Sequence, residues 1–330
     1  MSYEPPGMSV ILVTDRWATI REVVHCLRAQ TVREQIELIV VAPTGAELNP
    51  PQSDLEGFGG VQVIGIGSID ELAVARSVGV RAAHAPVVVL GETHAFPHPG
   101  WAEALIKAHG VEWGAVAPAF GNANPRGALS WAIFLLDYGR WIAGLPAGEI
   151  PFAPTHNGAY RRDVLLGLGA DMETVLRHGD RLALYLKRCG HLSYFEPAAR
   201  IDHLNISQPR AWLHERFLFG TLIAGRRAAT WPLRRRLVYI AGSPLIPALI
   251  LYRLRRSVSL LRRQVGLPPG TLAALLLGAV VSTIGEVVGY ALGVSRVAQL
   301  RMEEYEMHKV LYADQAAPQY PSGITVSQNS

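Results

Sequence analysis

Two short runs of aliphatic and β-branched residues, 8–14 (MSVILVT) and 37–42 (ELIVVA), flank a segment over 17–29 in which Ile20, Val23, Val24 and Leu27 share one helical face. The pattern predicts strand, helix, strand. A stretch rich in Gly, Pro and Asn over 43–60 leads to a third strand at 61–65 (VQVIG), a helix at 70–83 and a wholly apolar strand at 86–90 (PVVVL). The segment 113–118 continues the sheet, 127–143 is aromatic and apolar, and 159–190 holds a further helical region ending at Gly190. Strands without alternation predict a parallel sheet buried on both faces, hence an α/β fold. Ligands of such sheets sit beyond the carboxyl ends of the strands, so the residues after 14, 42 and 90 are expected to line one crevice. The sequence shows no internal repeat.

The character of the chain changes near residue 209. Residues 1–208 hold 16 basic and 21 acidic side chains, whereas 209–285 hold 12 arginines, no lysine and one acid, Glu215. The net charge of +4 therefore conceals a segment carrying +11. Within it, Arg226-Arg227, Arg234–Arg236, Arg253, Arg255-Arg256 and Arg262-Arg263 alternate with the apolar run 238–252, which Pro244 and Pro247 interrupt. That run is shorter than the ~20 residues of a spanning helix and reads as interfacial or re-entrant. Its arginines would favour an anionic membrane surface by about 1 kcal/mol each. Aliphatic interleaving and the absence of lysine speak against nucleic acid as the partner. The stretch 271–293 carries one charge, Glu286, and is long enough to span, which would leave the arginines inside and 294–330 outside.

The expected organisation is a catalytic domain over 1–208, an arginine-rich amphipathic region over 209–264, a hydrophobic helical region over 265–315 and a disordered tail over 316–330. Two cysteines, Cys26 and Cys189, exclude a disulfide framework and suit a reducing compartment. The opening residues carry no cationic segment ahead of an apolar stretch, so no secretory signal is expected. The cytoplasmic face of the cell membrane is the expected location.

The chemistry concentrates where the strand 86–90 ends, in Gly91-Glu92-Thr93-His94-Ala95-Phe96-Pro97-His98-Pro99-Gly100-Trp101. An acid and an imidazole two residues apart at the mouth of a buried strand can both face a ligand or a divalent cation. An exposed polar turn would look the same by spacing alone.

This segment resembles the family 2 glycosyltransferases of the GT-A fold, whose fourth strand ends in Asp-x-Asp, followed by Pro and a Trp that opens a helix. Glu92 falls at the first Asp and His94 at the second. The resemblance spans roughly residues 8–205. It implies a nucleotide-sugar donor and a divalent cation, with His94 a softer ligand better suited to Mn²⁺ than to Mg²⁺. Thr14 and Asp15 sit where the family contacts the donor nucleoside. Arg76 and Ser77 lie on a helix similar to the family's Ala-Arg-Asn-x-Gly helix, with Arg76 expected at the base and phosphates. Asn157 and Arg161 belong to a segment like the one preceding the family's acceptor helix, and Trp212 and Arg216 are placed like its acceptor-gating segment. His203 corresponds to a histidine that approaches the diphosphate or the metal.

In an inverting transfer a carboxylate takes the acceptor's proton, and the resemblance nominates Asp180, with Glu173 as runner-up. The function implied is sugar transfer to a hydroxyl or phosphate acceptor, lipid-linked or close to the membrane. A catalytically silent domain that binds sugar nucleotide or scaffolds a membrane assembly is the alternative, favoured by the altered Asp-x-Asp.

Overall fold

A computed structural model describes residues 5–314, apart from 112 and 178. The expected tail, 316–330, lies outside the described residues. The chain forms two compact units, one of residues up to 121 with 143–202, the other of 122–142 with 203 onward.

The first unit is built on a sheet. Its strands are β1 (Met8–Val13), β2 (Ile36–Ala42), β3 (Gly60–Gly65), β4 (Val87–Leu90), β5 (Ala95–Pro97), β6 (Ala115–Asn122), β7 (Gly148–Ile150), β8 (Ala159–Arg161) and β9 (Ser193–His203). Their order is β3-β2-β1-β4-β8-β6-β9-β5, with β7 paired to β9. β1 pairs in parallel with both β2 and β4, Val10 lying opposite Leu38 and Val89, and β2 pairs in parallel with β3. Every position of β1, β2 and β4 is buried, including the polar Ser9 and Glu37, the Ser9 hydroxyl donating to the Glu37 carboxylate at 2.5 Å.

The expectation of a parallel sheet holds for β1 to β4 and fails beyond. β8 runs antiparallel between β4 and β6, and β7 runs antiparallel to β9. Both β7 and β8 are only three residues long, too short for periodicity to register. The region 159–190, read as helical, begins with β8 and then breaks into short helices.

The helices of this unit are α1 (Trp17–Arg28), α2 (Gly45–Leu48), α3 (Gln52–Leu55), α4 (Leu72–Ala82) and α5 (Trp101–Ala108), and α7 to α9 below. α1 turns Ile20, Val23, Val24 and Leu27 inward, as its spacing requires. Asp54 on α3 accepts hydrogen bonds from Trp17 Nε1 and Arg21 Nε, both at 3.1 Å, and so ties the loop after β2 to α1. Burial opposes the charge on Asp54, yet the bonds from Trp17, His25 and Arg21 hold its carboxyl below the usual range.

Because β1 leads to β2 and β3 on one side while β4 lies on its other side, the order of strand addition reverses between β1 and β4. Such a switch point opens a crevice at the carboxyl ends of the two strands. Gly91, the residue after β4, donates its N–H to the Ile11 carbonyl at 2.9 Å, and a β-carbon there would come within 2.7 Å of Leu12 Cδ2. A side chain here would have to displace Leu12 and crowd the Ile11 carbonyl oxygen, 3.1 Å from that β-carbon.

The second unit contains α6 (Ala128–Tyr138) and, after α7 (Arg162–Leu166), α8 (Met172–Leu176) and α9 (Gly179–Arg188) of the first, the helices α10 (Pro209–Arg227), α11 (Leu233–Gly242), α12 (Ile246–Gln264), α13 (Thr271–Leu292) and α14 (Arg296–Met307). α10 and α13 touch backbone to backbone. A β-carbon on Gly220 would enter the Ser282 carbonyl, and one on Gly285 or Gly289 would enter the carbonyls of Phe217 or Thr221. Small residues at these positions are what allow the approach.

Pro244 and Pro247 do not break the arginine-rich segment into separate pieces. They occupy the first turn of the 3₁₀ helix Ser243–Leu245 and of α12, where a missing N–H costs nothing, so helical structure runs from Leu233 to Gln264. By length and composition two segments, Leu233–Gln264 and Thr271–Leu292, are apolar enough to cross a membrane. The first was expected to be too short.

Candidate functional site

The candidate site is built on the residues that follow β4. Glu92 and His94 leave β4, and His203 is the last residue of β9, a strand of the same sheet. Glu92 is 4%, His94 1% and His203 1% exposed. Each carries a side chain of a type that ligates divalent cations. Glu92 Oε1 and His94 Nε2 are 3.8 Å apart. One carboxylate and two imidazoles taken out of water form a donor set of the kind that Mn²⁺ and other borderline divalent ions accept. A carboxylate this deep is costly unless positive charge compensates it, so the residues fit a cation.

Both ends of this group are held by asparagines. The Glu92 backbone N–H donates to Asn157 Oδ1 at 3.2 Å, which turns Asn157 Nδ2 towards Glu92 Oε2, a contact of 2.6 Å. Asn157 adopts a left-handed backbone, φ 57°, a conformation that asparagine tolerates better than most residues. Expected on the acceptor side, Asn157 directs its side chain to Glu92. At the other end, His203 Nδ1 lies 2.9 Å from Asn205 Oδ1, and the Tyr138 ring packs against the imidazole, centroids 4.4 Å apart.

The other sequence-predicted residues fall as follows. Thr14 is buried at the end of β1, and its hydroxyl donates to the Arg16 carbonyl at 2.8 Å, shaping the turn that presents Asp15. Arg76 and Ser77 are buried on α4. The Ser77 hydroxyl is 2.8 Å from the Val74 carbonyl and 3.3 Å from Glu173 Oε1, and Arg81 Nη1 lies 3.7 Å from that same oxygen. Glu173 on α8 is thus bound to α4. Asp180 is exposed in the first turn of α9. Arg161 pairs with Asp163 on the surface.

Trp212 and Arg216 are taken up inside the second unit. The Trp212 indole donates to the Leu129 carbonyl at 3.1 Å. Arg216 forms a two-pronged pair with Asp137, at 2.8 and 3.1 Å, and another with Glu215, at 2.5 and 2.6 Å. Burial disfavours its charge, but the two carboxylates outweigh that and raise its pKa above the ordinary arginine value. Both side chains have the surroundings of structural residues.

Sequence reasoning gave no role to Asn205. Its position two residues beyond His203, where the strand ends, was the available signal, since asparagine side chains commonly bond to neighbours at that spacing.

No protein-family model matches the chain, and no curated protein matches it. Among solved structures it is similar to the crystal structure of GalNAc-T7 with UDP, GalNAc and Mn²⁺, at 16% identity and a TM-score of 0.47, over 61% of this chain and 44% of that one. The chain thus spans less than half the length of that protein.

Proposed function

We propose that the protein is a membrane-associated, inverting glycosyltransferase of the GT-A type that moves a sugar from a nucleotide donor to a hydroxyl or phosphate acceptor carried on a lipid. The observation that carries this reading is the buried acid and imidazole just past the end of β4, Glu92 Oε1 and His94 Nε2 lying 3.8 Å apart. The resemblance of the motifs around it supplies the reaction.

In this reading Thr14, Asp15 and Arg76 receive the nucleotide, and Glu92, His94 and His203 hold a divalent cation. A cation held by these residues would supply positive charge against the nucleoside diphosphate. The acceptor oxygen forms a bond to the anomeric carbon while the bond from that carbon to the diphosphate breaks. A carboxylate takes the acceptor's proton. Glu173 is already engaged by Ser77 and Arg81, which favours the exposed Asp180 as this base.

The second unit supports a lipid-linked acceptor. Leu237, Val238, Leu245 and Leu249 are exposed beside Arg234–Arg236 and Arg253, so one helical segment presents both apolar side chains and positive charge. That combination suits the headgroup boundary of an anionic membrane.

The deciding experiment follows donor hydrolysis and transfer over a panel of sugar nucleotides, with Mn²⁺ and with chelator. Turnover with one donor, abolished by Glu92→Ala and by Asp180→Asn, is the expected result. If a sugar nucleotide stabilises the fold thermally and no donor turns over, the protein is a binding or scaffolding domain instead.

A further inference from the structure

Asn205 sits at the centre of a polar network within the second unit. Its Nδ2 lies 2.9 Å from the backbone carbonyl of His203 and 2.9 Å from Asn122 Oδ1. Its backbone N–H donates to Asn124 Oδ1 at 2.9 Å, and its carbonyl accepts from Asn124 Nδ2 at 2.8 Å. Asn122 Oδ1 also accepts from the Asn124 backbone N–H at 3.0 Å.

A backbone carbonyl can only accept. The end of the Asn205 amide that faces the His203 carbonyl is therefore the NH₂, and the opposite end, facing His203 Nδ1, is the oxygen. An amide oxygen also can only accept, so the proton of the Nδ1 contact belongs to the histidine. In a neutral imidazole with Nδ1 protonated, Nε2 carries the lone pair.

We propose that Asn205 is a positioning residue that locks His203 in the Nδ1–H tautomer, leaving Nε2 as the nitrogen through which it would bind a cation. The assignment deepens the proposed function and rests on reading Glu92, His94 and His203 as a cation site. The tautomer itself depends only on the network around Asn205. Partners of this kind fix the orientation and protonation of metal-binding histidines, and their loss typically costs 10- to 100-fold in metal affinity.

The test uses the full-length protein, labelled with ¹⁵N-histidine and free of metal, with two-bond ¹H–¹⁵N correlation spectra of the imidazoles. The His203 signal is identified by its loss in His203→Gln. Wild-type protein is expected to show a pyrrole-like Nδ1 and a pyridine-like Nε2 at His203. Asn205→Ala is expected to release the lock, giving a mixture of tautomers and a 10- to 100-fold weaker Mn²⁺ affinity by titration calorimetry. Asn205→Asp, which retains an acceptor, is expected to keep Nδ1 protonated. A proton on Nε2 of wild-type His203 overturns the proposal, and that observation needs no variant to fold. An Asn205→Ala protein with unchanged tautomer and Mn²⁺ affinity overturns it as well. Wild-type protein that shows the Nδ1–H tautomer but binds no Mn²⁺ instead sinks the cation reading and leaves the lock standing.

Discussion

Asn157 and Glu92 grip each other through two hydrogen bonds, and a third, from the Asn157 N–H to the Leu90 carbonyl at 2.8 Å, binds the same turn to the end of β4. The residue is 2% exposed and its backbone is left-handed, so the position demands both an amide and a positive φ.

The two demands can be separated. Asn157→Gly keeps the backbone and removes the amide, leaving buried polar atoms of Glu92 with fewer partners, an expected loss of about 1–3 kcal/mol. Asn157→Ala removes the amide and adds the left-handed penalty of about 1–2 kcal/mol. Urea unfolding should rank the proteins wild type, glycine, alanine. Equal stability of the two variants would show that backbone strain plays no part in selecting asparagine.

The hydrophobic pattern made β1, α1, β2, β3, α4 and β4 legible because each is long enough, and uniform enough, for its period to show. From those elements the location of Glu92 and His94 followed, since the wholly apolar β4 is followed at once by these polar residues. β8 was illegible for the opposite reason: three residues carry no period, and its antiparallel insertion depends on what lies on either side. Burial of Arg216 follows from Asp137, distant in sequence, which no local pattern connects to it.

Arg216 gives a second prediction. With Glu215 and Asp137 both bonded to it, Arg216→Met leaves two carboxylates without their shared cation, Glu215 among them almost wholly buried. Breaking a buried ion pair from one side costs about 3–5 kcal/mol, which should show as a markedly lower urea midpoint. The triple variant Arg216→Met, Glu215→Leu, Asp137→Leu should recover most of that loss. A triple variant no more stable than the single one would mean the arginine acts by packing rather than charge.

Stability should also depend on pH through His109, at the end of α5. Burial of its ring pushes its pKa down to about 4, against an ordinary value of 6.5. Between those values the unfolded chain binds a proton that the folded chain refuses, so stability falls as pH drops from 6.5 towards 4, by up to about 3 kcal/mol. The carboxyls of Glu37 and Asp54, held below their usual range, lose their contribution only at lower pH. Burial pushes the Glu215 carboxyl above its usual range, a contribution of opposite sign in the window from 6.5 to about 4.5, so the histidine's share is the part of the slope that His109→Asn removes. Urea midpoints measured across that window should slope steeply in wild type and flatten in His109→Asn. An unchanged slope in the variant assigns the titration to another group.

The last prediction concerns Leu233–Gln264. Val238 is 68% and Leu245 74% exposed, flanked by arginines on the same helical segment. Burying such side chains in the headgroup region contributes about 1.5–3 kcal/mol each, and each arginine about 1 kcal/mol on an anionic surface. Full-length protein should sediment with phosphatidylserine-containing vesicles, and Val238→Asp or Leu245→Asp should each weaken partitioning at least about tenfold, since 1.4 kcal/mol is a factor of ten. Raising the salt concentration screens the arginines and leaves the apolar contribution, so binding should weaken with salt without vanishing. Full-length protein that stays in the supernatant at low salt would remove the membrane from the proposed function, and with it the reason for a lipid-linked acceptor.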